Sequence, residues 1–313
     1  MVLFALFAPA MRPAPASGQD LEPRAFSNGP VGMNFLGGSY TYSTGNILLE
    51  TALPLEDLRA KLHVITPAYV RLINFFGLSS KVDVAVPFAR GDWNGVLDGQ
   101  DTSATRTGLG DARIRWSVNF VGAPALHGVD FFKWKQKTIV GASVQVIAPI
   151  GQYNPEKLVN LGSNRWTFKT RVGVSQRVRK WILEGLVAGW FFTPNNDFFG
   201  GNRLTQDPIW AGQAHVGYIF KPGLWLAVDA GYGTGGATTI GGDTQSLQKN
   251  TRLGLVLAIP IDPRNALRLV YITGLSTRLG ADFDTFGGGY FHRWGGLPKP
   301  PRPPPSSPEG SSR

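Results

Sequence analysis

Apolar and polar side chains alternate with a period of two along most of the chain, and this pattern constrains the fold more than any other feature. Between residues 164 and 179, for example, Lys169 and Arg171 share one parity, whereas Trp166 and Phe168 take the other. Successive side chains of a β-strand point to opposite faces, so such a segment has one basic and one apolar face. Helical periodicity is nearly absent, and the pattern predicts an all-β protein. Twelve segments carry the alternation: about 31–43, 64–76, 80–92, 107–120, 136–150, 164–178, 182–193, 208–220, 224–236, 249–261, 266–278 and 282–294.

The connections between these segments alternate in length through most of the chain. Tight turns such as Pro222-Gly223 alternate with longer polar stretches, and outer-membrane barrels have brief turns at one end and long loops at the other. Segments of about a dozen residues exceed the usual strands of soluble sheets and suit a tilted membrane crossing. We therefore predict a single antiparallel transmembrane β-barrel of about 12 strands within residues 18–296, with a soluble barrel or sandwich as the alternative. The long connections are 45–63, 93–106, 152–163, 194–207 and 235–248.

The composition agrees with such a barrel and excludes several other classes. Charged residues make up 17% of the chain and aromatic residues 12%, and no run of about 18 apolar residues marks a membrane helix. The absence of cysteine excludes disulfide frameworks, Cys–Zn sites and thiol nucleophiles. Aromatic residues cluster near segment ends, as expected for the aromatic girdles at membrane interfaces. The girdle candidates are Trp93, Trp166, Trp190, Trp210, Trp225 and Trp294.

The two ends of the chain differ from the alternating region. Residues 1–17 contain a short apolar core followed by small residues, which resembles a secretory signal peptide without its basic start. Residues 297–313 are rich in proline and serine and are expected to be disordered. This organisation predicts a protein of the Gram-negative outer membrane, with outer-membrane lipids, lipopolysaccharide and the barrel-assembly machinery as partners.

Residues 108–116, GLGDARIRW, could begin a phosphate-binding loop or a strand. Asp111, Arg113 and Arg115 share one parity and Ile114 and Trp116 the other, which indicates a strand and not the helix that a phosphate loop requires. An arginine or lysine at the bilayer midplane costs about 2–4 kcal/mol, so the charged parity must face the lumen. By the same parity argument, the candidates for lining the lumen and selecting a solute are Asp83, Asp111, Arg113, Arg115, Lys169, Arg171, His215, Asp229, Arg252 and Arg268.

The charge balance of these candidates suggests which solute a channel would pass. Basic residues outnumber acidic ones among them, so small anionic solutes are expected to be favoured. The alternative is that the charges pair with one another and only brace the wall. The net charge of the whole chain is +10, but its lysines and arginines are spread throughout, which argues against a nucleic-acid interface.

Two other functions are alternatives to a channel. A barrel enzyme, such as a lipid hydrolase or protease, could use His215 and Asp229 on neighbouring strands, but no nucleophile motif accompanies them. The four histidines lack metal-ligand spacing, so no metal or cofactor is expected. The other alternative is a closed structural or adhesive barrel.

Four stretches of the sequence resemble a known family. They are PVGMNFLGG (30–38), TGLGDARIR (107–115), PIGQYNPEKLVNLGSNRWTFK (149–169) and TRLGADFDTFGGGYFHRWG (277–295), and they resemble the phenol-degradation MetA-pathway family of Gram-negative outer-membrane proteins. The similarity extends from Leu21 to about Gly296. The resemblance implies an outer-membrane β-barrel that aids uptake of aromatic or other hydrophobic compounds. The chain departs from outer-membrane proteins generally at its end, because Phe291 and Trp294 of the closing strand precede a proline-rich tail.

Overall fold

The computed structural model describes residues 21–48, 55–97, 99–244 and 246–296, so the signal-like segment and the proline-rich tail lie outside the described residues. The structure is 71% strand and 3% helix, which confirms the all-β prediction. One short α-helix, α1 (Gly128–Lys133), and a 3-10 turn (Phe199–Gly201) interrupt the strands of the described chain. The strands are β1 (Asn34–Leu48), β2 (Leu55–Phe75), β3 (Leu78–Ala85), β4 (Phe88–Leu97), β5 (Gln100–Leu109), β6 (Ala112–Val121), β7 (Thr138–Ala148), β8 (Thr167–Val178), β9 (Trp181–Phe192), β10 (Asn195–Phe198), β11 (Asn202–Gln206), β12 (Ile209–Lys221), β13 (Leu224–Gly235), β14 (Thr238–Ile240), β15 (Asp243–Thr244), β16 (Gln248–Pro260), β17 (Asn265–Thr277) and β18 (Gly280–Trp294).

Twelve strands close into an antiparallel barrel, as the alternation predicts. Their order around the wall is β1, β18, β17, β16, β13, β12, β9, β8, β7, β6, β3 and β2, and β2 pairs back with β1. Asn34 at the start of β1 lies opposite Trp294 at the end of β18, so the wall begins and ends at the same rim. That rim also carries the tight turns after β2, β8 and β12, and we call it the short-turn end. The opposite rim is the long-loop end.

Two of the predicted long loops, 45–63 and 93–106, are largely strand, so that part of the prediction is wrong. The 21-residue β2 pairs with β3 near the short-turn end and with β4 beyond it. Pro87 separates β3 from β4, because its nitrogen has no hydrogen to donate to the ladder. The hairpin of β4 and β5 therefore projects past the wall at the long-loop end. Backbone pairing satisfies the hydrogen bonds of this extension, which its polar composition does not reveal.

Two other long connections form a second small sheet at the long-loop end. The connection between β9 and β12 provides β10 and β11, and the connection between β13 and β16 provides β14 and β15. Their order in the sheet is β10, β11, β14 and β15. Residues 194–207 and 235–248 therefore connect wall strands, as predicted, but they also pair with each other through β11 and β14.

The outward face of the wall is apolar. On β6, Ile114 and Trp116 are 52% and 40% exposed, whereas Arg113 and Arg115 are 9% and 2% exposed. The same contrast between exposed apolar and buried polar side chains recurs on β8, β12 and β16. So much exposed apolar surface is unfavourable in water and suits the hydrocarbon of a bilayer. The fold is that of a transmembrane β-barrel.

Three of the six predicted girdle tryptophans face the interior instead of the lipid. Trp166, Trp210 and Trp294 are outward and exposed, but Trp93, Trp190 and Trp225 are each at most 7% exposed. The reason is that these three tryptophans occupy the positions of their strands whose side chains point inward. Trp225, for instance, lies four positions before the buried Asp229 and therefore faces the same side of β13. Proximity to a strand end was therefore a poorer guide than the alternation. The girdle prediction is wrong for Trp93, Trp190 and Trp225.

The connection between β6 and β7 folds back toward the interior at the short-turn end. It contains α1, whose Phe131 packs in a buried cluster with Met33, Phe35 and Phe291. This cluster fills part of the barrel at that rim. In the part of the chain that the structure describes, no helix has the length and apolar character that a membrane crossing requires.

Candidate functional site

The segment before the first strand, Leu21–Met33, lies inside the barrel, and we call it the inner segment. Its first ten residues are all buried. Phe26 packs against two wall glycines so closely that a Cβ at Gly141 or Gly173 would lie 2.5 or 2.8 Å from its ring. Any larger residue at these positions would collide with the ring, so β7 and β8 are shaped to receive it.

The start of the inner segment reaches a different part of the wall. Leu21 lies against Gly231 of β13 and Gly254 of β16, where an added Cβ would lie 2.8 or 2.9 Å from its side chain. The inner segment therefore crosses the interior between β13–β16 and β7–β8. Its position obstructs passage through the barrel.

Glu22 of the inner segment meets three cations from the wall. Its Oε2 accepts hydrogen bonds from Arg171 and, at 2.8 Å, from Arg115 Nη1, and its Oε1 lies 3.8 Å from Lys169 Nζ. Arg115 also donates through Nε to Asp83 Oδ2 at 2.8 Å. Burial alone would raise the pKa of the Glu22 carboxyl, but Arg171, Arg115 and Lys169 hold the pKa well below its usual value. The carboxylate stays ionised and ties the inner segment to β6 and β8.

Wall side chains also hold the backbone of the inner segment. Lys81 Nζ donates to the carbonyl of Ala25 at 2.5 Å, and Asn119 Nδ2 donates to the carbonyl of Phe26 at 3.1 Å. A wall acceptor acts as well: Glu184 Oε2 accepts a hydrogen bond from the backbone N–H of Arg24 at 2.5 Å. These contacts satisfy backbone groups that are shielded from water. Burial lowers the pKa of the Arg24 guanidinium to about 10, which still leaves it charged at neutral pH.

Asp111 of the GLGD stretch anchors the long connection between β7 and β8. Its Oδ1 accepts a hydrogen bond from the Gly151 N–H at 2.9 Å, and its Oδ2 accepts from the N–H and hydroxyl of Ser163 at 2.8 and 2.6 Å. Gly151 and Gly162 touch closely, since a Cβ on Gly162 would lie 2.7 Å from Gly151. Two of the stretches that carry the family resemblance, 107–115 and 149–169, therefore meet at this carboxylate. Asp111 has a bracing role here.

All ten residues predicted to line the lumen are buried on the inner side of the wall, with exposures between 0% and 9%. The structure joins several of them: Asp83 with Arg115, Lys169 and Arg171 through Glu22, and His215 with Asp229. Arg252 donates to the carbonyl of Ala281 at 2.9 Å. Their role in selecting a solute stays a prediction. The ten are Asp83, Asp111, Arg113, Arg115, Lys169, Arg171, His215, Asp229, Arg252 and Arg268.

The histidine and aspartate considered as an enzymatic pair are in contact. His215 Nδ1 lies 2.7 Å from Asp229 Oδ1 across β12 and β13. Among the residues that the structure describes, His215 Nε2 has no hydrogen-bond partner, so no hydroxyl contacts it as a nucleophile would. Nor do three His, Asp or Glu side chains of the described ranges group as metal ligands.

Cations and aromatic rings are paired along the interior. Lys169 Nζ lies 4.5 Å from the ring centre of Trp190, and the Arg165 guanidinium lies 4.5 Å from that of Phe192. The guanidinium groups of Arg24 and Arg268 each lie 5.4 Å from the ring centre of Trp225. Such pairs are attractive at these distances. Two of the three inward tryptophans, Trp190 and Trp225, thus lie beside charged side chains.

An apolar surface covers part of the interior at the long-loop end. Leu62 and Phe283 of the wall and Trp93 of β4 pack there with Leu161 of the β7–β8 connection. The sequence alone did not reveal this surface, because its members come from β2, β4, β18 and a loop. It gives the long-loop end of the barrel an apolar interior above the charged middle.

Solved structures share this barrel. An outer-membrane channel from Pseudomonas putida F1 matches with a TM-score of 0.74 and 21% identity, covering 87% of this chain and 99% of that one. The β-domain of the Bordetella autotransporter BrkA (TM-score 0.49, 10% identity, 84% and 100% covered) and the NanC porin (0.45, 10%, 82% and 98%) are less similar, and nothing is inferred from them. No curated protein matches the sequence. The model of the family described as the MetA-pathway of phenol degradation matches residues 27–286. That match spans most of the chain, so this protein is a member of the MetA-pathway of phenol degradation family.

Proposed function

We propose that this protein is an outer-membrane channel of Gram-negative cells for small anionic solutes, aromatic or otherwise hydrophobic, and that the inner segment closes it at rest. The observation that carries the proposal is the pairing of cations with aromatic rings inside the barrel, at Lys169–Trp190, Arg165–Phe192 and Arg268–Trp225. An aromatic carboxylate offers a ring to the tryptophan and a charge to the cation. It fits such pairs better than a sugar or a cation does.

The charge balance of the interior supports anions over cations. Basic residues outnumber acidic ones two to one among the buried charged residues of the described chain. A wall with excess positive charge in a low-dielectric surrounding attracts anions and repels cations. The basic set is Arg24, Lys81, Arg113, Arg115, Arg165, Lys169, Arg171, Arg252, Arg268 and Arg293, and the acidic set is Glu22, Asp83, Asp111, Glu184 and Asp229.

The apolar surface at the long-loop end supports a hydrophobic solute. A solute entering there would first meet Leu62, Trp93 and Phe283, and then the cations around Glu22. The family description, which concerns phenol degradation, and the channel of Pseudomonas putida F1 with the same fold agree with this choice. Long loops face the outside in outer-membrane barrels, so the short-turn end is assigned to the periplasm.

For a solute to pass, the inner segment must move away from its contacts with the wall. Ion pairs, hydrogen bonds and side-chain packing hold it, and these contacts can be exchanged for contacts with an incoming anion. A carboxylate solute can replace Glu22 beside Arg115 and Arg171, because it offers the same acceptor oxygens. The proposal therefore includes competition between the solute and Glu22.

Planar-bilayer recordings and liposome swelling test the proposal. In a KCl gradient, the reversal potential should show anion preference, and liposomes that contain the barrel should take up benzoate faster than benzylamine or benzyl alcohol. Liposomes without protein are the control for passive permeation. Cation preference, or equal rates for the three aromatic solutes, would contradict the solute assignment. Hydrolysis of lipids or peptides by the purified barrel would instead favour the enzymatic alternative, and absent conductance with surface binding would favour an adhesive barrel.

A further inference from the structure

The outer face of the barrel carries a cluster of exposed cations near the long-loop end. Arg59 and Lys61 of β2 and Arg90 of β4 all point outward, on the two paired strands that extend past the wall. We call these three residues the basic patch. The outward-facing positions of β6, β7, β8, β9 and β13, strands that the structure describes in full, contain no lysine or arginine. The basic patch is therefore a local feature and not part of a generally basic outer surface.

The basic patch begins where the apolar outer surface ends. Arg90 lies two positions beyond Phe88, which pairs with Ile65 of β2, and both apolar side chains are about half exposed. Tyr40 of β1 lies opposite Ile65, and its hydroxyl is 2.7 Å from His63 Nδ1. Tyrosine is enriched where a membrane meets water, so this row of residues marks the interface. Successive outward residues of a strand are about 7 Å apart, which places the basic patch in the headgroup layer above that row.

A groove on the same face continues from the basic patch toward the tip of the β4–β5 hairpin. It offers about 540 Å³ of room and is open to solvent, and ligand pockets measure about 300–1,000 Å³. Its near end is formed by the cross-strand neighbours Arg59, Asn94 and Ser103, and Asp57 and Asp101 line its far end. Amide, hydroxyl and carboxylate groups can all exchange hydrogen bonds with sugar hydroxyls. Cations followed by such groups fit a sugar that carries a phosphate.

The carboxylates nearby leave the basic patch with an excess of positive charge. Asp92 lies among its three cations: its Oδ2 is 3.7 Å from Arg90 Nε, and its Oδ1 accepts a hydrogen bond from the Thr105 hydroxyl at 2.7 Å. The Arg90 side chain is still 61% exposed. Asp282 and Asp284 of β18 are separated from β2 by β1, and therefore by about 10 Å. That distance exceeds the Debye length of about 8 Å at physiological ionic strength, so their charge is largely screened.

We propose that the basic patch and the groove bind the phosphorylated sugar headgroup of an outer-leaflet glycolipid, the chemistry of the lipid A part of lipopolysaccharide. Lysine and arginine donate charge-assisted hydrogen bonds to phosphate oxygens. The acyl chains of the same lipid would lie on the exposed apolar row formed by Ile65, Phe88 and Leu109. The long-loop end faces outside in the orientation assigned above, which is the leaflet of such lipids. The site lies on the outer face of the barrel, so it goes beyond the proposed function and does not depend on which solute passes.

Native mass spectrometry of the full chain in a non-ionic detergent, titrated with lipid A, tests the site. Lipid A should bind saturably, and lipid A without its phosphates should bind roughly tenfold more weakly or less, because the charge-assisted hydrogen bonds are lost. Phosphatidylglycerol, an anionic lipid without a sugar phosphate, should bind more weakly than lipid A, and an equimolar amount of inorganic phosphate should not displace lipid A. Equal binding of the dephosphorylated lipid or of phosphatidylglycerol, or displacement by inorganic phosphate, would overturn the proposal.

Variants locate the binding on the outer face. The double variant Lys61→Gln and Arg90→Gln should bind lipid A roughly twentyfold more weakly, because each cation near an anionic lipid surface contributes a factor of about five. Lys249→Gln is the matched control, since Lys249 is an exposed outward cation of β16 at the same rim, four strands away around the wall. It should bind as the unaltered chain does. Identical affinities for the double variant and Lys249→Gln would overturn the proposal.

A third variant should change the affinity in the opposite direction. Asp92→Asn removes the carboxylate among the three cations and keeps an acceptor for the Thr105 hydroxyl, so lipid A should bind several-fold more tightly. A misfolded barrel would not show such a gain, and weaker binding of Asp92→Asn would contradict the site. Planar-bilayer conductance of all these variants should equal that of the unaltered chain. Lipid binding without conductance would remove only the proposed function, and conductance without lipid binding would remove only this site.

Discussion

Two groups of cations inside the barrel differ in how their charge is balanced. In the middle, Arg115 and Arg171 share the carboxylate of Glu22, and Arg115 also pairs with Asp83. At the short-turn end, none of the described residues that line the small cavity around Arg268 is acidic. The middle group makes direct ion pairs with carboxylates. Arg268 makes no ion pair with a carboxylate of the described residues, and Asp229 and Glu22 act on it only from a greater distance.

This difference separates the buried charges that stabilise the barrel from those that can bind a solute. A cation whose carboxylate partner belongs to the same chain stabilises one arrangement of that chain, and removing either partner lowers the free energy of unfolding. A cation without such a partner keeps its capacity to bind an anion. Asp111, with its three hydrogen bonds to the β7–β8 connection, follows the first pattern.

Glu22→Gln should convert the middle group into the unbalanced kind. Removing one partner of a buried ion pair costs about 3–5 kcal/mol, which corresponds to a shift of roughly two orders of magnitude or more toward an open barrel. Single-channel recording should show a large rise in open probability. Glu156→Gln, the same change on an exposed loop residue, is the control. Unchanged conductance in Glu22→Gln would mean that the ion pairs do not hold the inner segment.

Arg115→Gln and Arg268→Gln should differ in stability. Loss of Arg115 leaves Glu22 and Asp83 without their shared partner and should cost about 3–5 kcal/mol. Loss of Arg268 removes a buried charge that no carboxylate hydrogen-bonds in the described chain, so the cost should be below about 1 kcal/mol or even a gain. Urea unfolding from lipid vesicles measures both. Equal losses would erase the proposed contrast between the two groups.

Asp111→Asn should loosen the β7–β8 connection and leave the barrel closed. The amide nitrogen cannot accept the hydrogen bonds that a carboxylate oxygen takes from Ser163 or Gly151, and the expected local cost is about 1.5–3 kcal/mol. Limited proteolysis should therefore cut residues 152–160 faster. Asp101→Asn, at an exposed position of the β4–β5 hairpin, should be cut no faster than the unaltered chain. A cleavage pattern common to both variants would argue against the anchor.

Acidification should change the conductance least of all these perturbations, and only at low pH. The folded barrel depresses the pKa of Glu22 below its usual value of 4.5, so its ionised form is the stabilising one. That stabilisation is fully present above pH 4.5 and is lost only as the pH falls through the depressed pKa. Conductance should stay constant from neutral pH down to pH 4.5 and rise below it. A rise centred above pH 4.5 would assign the closure to another group.

Much of the wall could be predicted from the sequence. The twelve segments matched wall strands, and Ile114 and Trp116 are outward while Arg113 and Arg115 are inward. The prediction failed where a different signal replaced the alternation, as for Trp190, which was assigned to a girdle by its place near a strand end. It also failed along β4 and β5, where polar side chains on a paired hairpin look like a loop.

The inner segment and the cavity could not be predicted in the same way. The inner segment has no period, and Glu22 contacts Arg115 and Arg171, which are 93 and 149 positions away. The cavity brings together β1, β13 and β16–β18, and β1 meets β18 only when the sheet closes. No local pattern marks such contacts.

The sequence by itself determined that this chain is a barrel, and which face of each strand is apolar, because the direction of a side chain is a local property of a strand. The tertiary structure alone decided which buried cations have a carboxylate partner. That decision depends on ring closure and on the path of the inner segment, and both bring together residues that are far apart in the chain. Glu22 pairs with the middle group because the inner segment passes there, whereas no carboxylate of the described residues comes close enough to Arg268 to form an ion pair.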